Sequence, residues 1–271
     1  MIWVNGVPQA NVDPTDRGIA YGDGLFATMR TGAEGILFFE THQARLTASA
    51  ARLRFQWQMS EALQQQLQAL AIEYPQHCIK LIVSRGVGGR GYAPPEPEIV
   101  KPTEIVSVHT IPSHYAQWQQ RGICLKTSSI RLGLQPLLAG IKHLNRLEQV
   151  LIKSYPLPQG FDDWLVADIE DNIIESSMAN IFFIKGNQVL TPSLAQCGVA
   201  GVMREHVMLA LLEQHLNIEC LPVGAERLIE FDSAFITNSI LGIVDVLAID
   251  SLTFTCTPIT AQLRQTLSLT L

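Results

Sequence analysis

The sequence is short of charge and lacks paired cysteines. Only 16% of its 271 residues are charged, against roughly a quarter in an ordinary globular chain. With 47% of residues hydrophobic, disorder through the bulk of the chain is excluded, and much of the surface is apolar enough to be buried by a partner. The net charge of −6, from 19 basic and 25 acidic residues, argues against a dedicated nucleic-acid binder. No apolar run reaches the ~18 residues of a membrane span. The opening MIWVNGVPQANVD has no basic region leading into a long apolar stretch, so no signal peptide is expected and the cytoplasm is the expected location. Cys78, Cys124, Cys197, Cys220 and Cys256 form no C-x-x-C pair, which predicts scattered core thiols rather than a zinc site or a redox dithiol. The seven histidines make neither H-x-x-x-H nor H-E-x-x-H, so no metal is expected. A Walker loop, a G-x-S-x-G elbow and the Gly-rich turn of a doubly wound nucleotide fold are all missing.

What is present reads as strands and helices in mixed order. A strand at Ile2–Val4 meets the turn dipeptide Asn5-Gly6. Residues 26–30 and 35–39 read as extended. Leu46, Ala50 and Leu53 at i, i+4, i+7 predict a helix, and Leu63, Leu67 and Leu70 predict a second with Ser60 as its N-cap. Strands follow at 78–84 and 104–108, on either side of a Gly- and Pro-rich loop, 85–97. The stretch 110–121 has no clear period and contains Pro112, so a linker is placed at 112–121 between a first domain (1–111) and a second (122–271). In the second, strands are predicted near 123–128 and at 164–168, 180–185, 188–191, 234–237 and 243–249. Helices are predicted at 145–155, 202–216 and 259–269. The class is α+β.

Residues that can carry chemistry collect in a few segments. Lys142 follows the apolar stretch 137–141 and precedes a helix. Desolvation there would depress the ammonium pKa and free a nucleophilic amine, although the position alone also suits a surface lysine. Glu175 stands at the end of a strand, just before Ser176 and Ser177, where a carboxylate is either solvated or turned to a pocket. Gly198-Val199-Ala200-Gly201 opens an apolar-faced helix whose free N–H groups form an anion site. Thr237-Asn238-Ser239 offers further donors after a strand. Asp16-Arg17, Gly22-Asp23-Gly24-Leu25-Phe26 and His42-Gln43-Ala44-Arg45-Leu46 complete the set on the N-terminal side.

In this order and at these spacings, the segments resemble the class IV aminotransferases, pyridoxal-phosphate enzymes of fold type IV, over nearly the whole chain. The resemblance implies a two-lobed fold like that of D-amino-acid aminotransferase. It has an N-terminal α/β lobe, a C-terminal pseudo-barrel lobe, pyridoxal 5'-phosphate in the cleft between them, and a homodimer. Residue by residue, it implies that Lys142 is the Schiff-base lysine and that Glu175 pairs with the pyridine nitrogen. Arg45 then contacts the cofactor phosphate, with the Val202 and Met203 N–H groups, Asn238 and Ser239 completing the phosphate cup. Phe26 and Thr28 lie on the strand that faces the cofactor in the family, and the Thr28 hydroxyl is suited to orient or relay a proton. Arg90 and Tyr92 stand where D-amino-acid members contact the substrate carboxylate, on a loop that by itself also reads as flexible surface. The run GIKHLNRLEQV (140–150) and the loop 85–92 are most similar to family members that turn 4-amino-4-deoxychorismate into 4-aminobenzoate and pyruvate by elimination. A D-amino-acid or branched-chain transaminase remains the alternative. Leu147 and Arg146 depart from the branched-chain pattern, in which a tyrosine stands five residues after the lysine.

Overall fold

The computed structural model describes residues 1–96, 99 and 101–271; Pro97, the end of the loop read above as 85–97, lies outside them. The chain divides into two units, Met1–Ile111 with Ile141–Asn145, and Pro112–Gly140 with Arg146–Leu271.

The first unit contains β1 (Ile2–Val4), β2 (Val7–Pro8), α1 (Arg17–Tyr21), β3 (Gly24–Gly32), β4 (Gly35–Ile36), α2 (Phe39–Arg52), α3 (Glu61–Glu73), β5 (His77–Ser84) and β6 (Thr103–Thr110). Its sheet runs β2-β1-β6-β5-β3-β4. Alternation along β3 decides the layering. Leu25, Ala27 and Met29 are buried against Leu46 and Ala50 of α2 and Leu63, Leu67 and Leu70 of α3. Phe26 and Thr28, on the other face, stay half-buried. The predicted helices are present, and the Ser60 side chain accepts the Leu63 N–H at 3.2 Å as the N-cap of α3. The extended reading of 35–39 holds only to Ile36, because Phe38 takes φ +55° and starts α2.

The second unit contains α4 (His114–Arg121), β7 (Ile123–Thr127), α5 (Leu147–Ser154), β8 (Asp163–Ala167), β9 (Ile173–Ser176), β10 (Asn180–Lys185), β11 (Gln188–Pro192), α6 (Val202–Glu213), β12 (Asn217–Leu221), β13 (Ser233–Asn238), β14 (Gly242–Ile249), β15 (Leu252–Thr253) and α7 (Pro258–Thr266). The path β10-β13-β14-β7-β8-β9 returns to its start, because β9 also pairs with β10 through Glu175 and Asn180. Those six strands therefore close into a barrel, with β11 and β12 continuing from β10. The interior holds Ile123, Leu125, Leu165, Ile181, Phe183, Ile236 and Val246 among its core. Burial on both faces explains why β10 reads as an unbroken apolar run.

The stretch expected as a linker forms α4, within the second unit. Trp118 is buried and Tyr115 packs beside it on the barrel core, so tertiary burial outweighs the weak helical pattern. The cysteines also depart from expectation. Cys78 and Cys197 are buried and Cys124 is half-buried, but Cys220 and Cys256 are exposed, on β12 and in the turn before α7. Among the described residues no helix is long and apolar enough to cross a membrane, and no cluster of three His, Cys, Asp or Glu is placed to hold a metal.

One carboxylate ties the loops of the first unit. Asp23 accepts from Arg17 Nε at 2.8 Å and Arg85 Nε at 2.7 Å. Burial pushes its pKa up, but the hydrogen bonds from Arg85 and Arg17 outweigh burial and hold it below the ordinary value. With the folded value below the unfolded one, its stabilisation is complete above about pH 4 and fades as pH falls through the folded value. Asp23→Asn is expected to cost on the order of 3 kcal/mol at neutral pH. It should also flatten the acid limb of stability, read by urea unfolding across pH.

Candidate active site

In the first unit, residues 142–144 pair along an edge of β3. The Phe26 N–H donates to the Lys142 carbonyl at 3.0 Å, the Leu144 N–H donates to the Gly24 carbonyl at 3.0 Å, and Leu25 and His143 form an antiparallel bridge. Gly24 is required for this approach, since a Cβ there would meet the Val83 carbonyl oxygen at 2.5 Å and Leu144 Cδ1 at 2.8 Å. The backbone thus sets Lys142 beside Phe26, and Lys142 Nζ lies 4.5 Å from the ring centroid. Lys80 Nζ lies 5.1 Å from the same ring. Thr28 is opposite Lys80 in the β3–β5 ladder, so Phe26, Thr28 and Lys80 share one half-buried face. Lys80 was missed in the sequence because a lysine in a strand reads as solvated; only the register puts it there. Arg45 is half-buried on α2, next to the core residue Leu46. Arg90 is exposed, and Tyr92 is 88% exposed with its ring 5.6 Å from that of Tyr21.

In the second unit, the barrel-closing pair also organises the loop before α6. Glu175, 7% exposed, accepts the Val199 N–H at Oε2, 3.1 Å away. Asn180 spans the same loop, with Nδ2 donating to the Val199 carbonyl at 2.8 Å and Oδ1 accepting the Gly201 N–H at 3.2 Å. Gly140 adds a third tie, donating to the Gly198 carbonyl at 2.9 Å and accepting from the Ala200 N–H at 3.0 Å. Two glycines make this possible. Gly198 has φ +85°, and a Cβ there would sit 2.6 Å from Ile174 Cγ2, while one at Gly201 would fall on Asn180 Oδ1. Gly201 is the N-cap of α6 and gives it no side-chain cap, which leaves the first turn, with buried Val202 and Met203, as a donor surface for an anion.

Around Glu175 the electrostatics are mixed. Burial pulls the Arg146 pKa down, opposed by attraction to Glu175 and Glu148. Burial, reinforced by Asp168, Glu175 and Glu148, pushes the Cys197 thiol up to about 12, so it stays protonated at neutral pH. At the end of β13, the side chain of Asn238 is committed to backbone. Its Nδ2 donates to the Met178 carbonyl at 3.1 Å, and its Oδ1 accepts the Ile240 and Leu241 N–H groups at 2.8 and 2.9 Å. Asn238 thereby shapes the turn that carries the half-buried Ser239.

The model of the family described as amino-transferase class IV matches residues 24–249. The chain belongs to that family. It is 36% identical to the aminodeoxychorismate lyase of Vibrio harveyi over 260 residues, covering 93% of this chain and 92% of that protein. It is 30% identical to the D-alanine aminotransferase of Bacillus licheniformis, over 89% of this chain and 84% of that one. The crystal structure of 4-amino-4-deoxychorismate lyase from Pseudomonas aeruginosa superposes with a TM-score of 0.91 at 35% identity, covering 98% of each chain. The fold-type IV architecture expected from the sequence is thus that of this enzyme family, with the closed barrel as its C-terminal part.

The loop 198–201 leaves no room for a Cβ at Gly198 or Gly201. Gly198→Ala forces an alanine to positive φ against Ile174, and a loss of about 2 kcal/mol or more is expected in thermal unfolding.

Proposed function

We propose that the chain is an aminodeoxychorismate lyase, converting 4-amino-4-deoxychorismate into 4-aminobenzoate and pyruvate with pyridoxal 5'-phosphate. The observation that carries this reading is the likeness to the Vibrio harveyi lyase over 93% of the chain. The motif run 140–150, which includes Lys142, points the same way.

Class IV members work with pyridoxal phosphate, and the residues present fit that group. A buried carboxylate with one oxygen held by the Val199 N–H suits a protonated pyridine nitrogen, and the uncapped start of α6 suits a phosphate. In this reading Lys142 holds the cofactor through its amine and Glu175 takes the ring nitrogen. Arg45, the Val202 and Met203 N–H groups and Ser239 take the phosphate, with Asn238 supporting their turn. When bound, the cofactor supplies an electron sink for the electrons freed by proton removal.

The chain's own groups then manage protons and position. The Lys142 amine removes the proton from the amine-bearing ring carbon of the substrate. The ring-carbon–oxygen bond breaks, the ring aromatises, and the enolpyruvyl methylene takes a proton from Lys142 or the Thr28 hydroxyl to leave as pyruvate. Phe26 packs beside the Lys142 amine and helps to hold it in place. Arg90, Tyr92 and Lys80 meet the anionic substrate. Aromatisation provides much of the driving force, so positioning is the main task left to the protein.

Incubation of the purified holoenzyme with 4-amino-4-deoxychorismate is expected to release 4-aminobenzoate and pyruvate in equal amounts. Lys142→Ala should abolish release, by at least about a thousandfold, together with the visible absorbance of the lysine-bound cofactor. Amino transfer from D-alanine to 2-oxoglutarate without 4-aminobenzoate would select the transaminase reading instead. The same reading includes a homodimer, and sedimentation equilibrium is expected to return twice the chain mass; a monomer at micromolar concentration would contradict it.

A further inference from the structure

The loop carrying Arg90 and Tyr92 has no ladder of its own, yet it is tightly held. Arg17 is 3% exposed and directs its whole guanidinium inward. Nε donates to Asp23, Nη1 to the Gly91 and Ala93 carbonyls at 3.1 and 3.3 Å, and Nη2 to the Tyr92 carbonyl at 3.0 Å. Three consecutive carbonyls thus converge on one buried fork of donors. Other contacts wind the same segment around this residue. The Arg17 N–H donates to the Gly86 carbonyl at 2.9 Å, and Asp16 bridges Val87. The Gly91 N–H donates to the Tyr21 hydroxyl at 3.0 Å, and Arg17 lies 4.8 Å over the Tyr21 ring. The packing is close enough that a Cβ on Gly88 would meet Arg17 Cδ at 2.5 Å.

Asp23 fixes the hub from below. It also takes Arg85 Nε and Nη2, and Arg85 in turn donates to the Leu53 and Arg54 carbonyls at 2.8 and 2.9 Å. The loop is therefore anchored, through two arginines and one carboxylate, to the end of α2. Its interior is backbone and buried charge; its exterior is the exposed side chains of Arg90 and Tyr92.

We propose that Arg17 is a positioning residue for substrate recognition, a buried guanidinium that folds residues 88–93 into the conformation in which Arg90 meets the substrate carboxylate. The proposal rests on the reading of Arg90 given above. A loop ordered before binding does not have to lose its freedom on binding, so the effect belongs in KM. The Lys142 chemistry is untouched, so kcat stays near its wild-type value.

The test compares the wild-type holoenzyme with Arg17→Lys, Arg90→Ala and the double variant, by steady-state kinetics and by amide hydrogen exchange over 88–93. Arg17→Lys keeps a positive charge beside Asp23 but lacks the fork. KM is expected to rise roughly tenfold with kcat within about twofold, exchange should quicken, and no further rise should appear when the change is added to Arg90→Ala. A wild-type KM for Arg17→Lys, or an undiminished effect in the Arg90→Ala background, overturns the proposal. Should Arg90→Ala alone leave KM unchanged, or the wild type release no 4-aminobenzoate, the substrate reading fails and takes the recognition role with it. Exchange over 88–93 then separately reports whether Arg17 holds the loop. If Arg17→Lys does not fold, Tyr21→Phe removes the acceptor of the Gly91 N–H and leaves the ion cluster intact. It is expected to raise KM about two- to threefold, and an unchanged KM overturns the proposal.

Discussion

The second unit depends on one backbone pairing. The barrel closes where Glu175 meets Asn180, and the same two side chains clamp the loop that leads into α6. A closed sheet has no free edge, and here closure brings a carboxylate and an amide to neighbouring positions at the seam. Both side chains are buried, and burying them without partners would be costly. The loop 198–201 provides those partners with its own N–H and carbonyl groups. Architecture and site therefore share the same atoms, and the glycines at 198 and 201 are what that sharing requires.

The first unit solves a different problem, the placing of positive charge on a half-buried surface. Lys142 and Lys80 both approach the Phe26 ring. An aromatic face attracts a cation electrostatically, so the Phe26 ring helps to hold both ammonium groups on this surface. These two cations stand together in a chain whose overall balance is acidic, with a net charge of −6.

Legibility followed the physics of each element. Strands such as Asn180–Lys185 and Gln188–Pro192 were plain because apolar runs end at the Gly186-Asn187 turn. Helix α4 was hidden because its burial rests on Tyr115 and Trp118, two aromatic residues in an otherwise polar run. Short β9 was legible only as a strand end at Glu175, because four residues are too few to show a period that would bound it. Among candidate site residues, Lys142 and Glu175 stand out in the sequence through the family resemblance of their segments. Asn180, Lys80 and Arg17 do not. Asn180 and Arg17 act on backbone atoms distant in sequence, and a carbonyl carries no residue-type signature. Lys80 shares a ring with Lys142 only through the β3–β5 register.

The way the segment 142–144 joins β3 has a consequence of its own. Its two ladder contacts use the carbonyl of residue 142 and the N–H of residue 144, so neither depends on what side chain position 142 bears. The scaffold is indifferent to the side chain it displays at position 142. Such a position behaves as a socket: the amine can be shortened, methylated or replaced while the strand beneath it keeps its register. Chemistry at this site is free to diverge without renegotiating the fold.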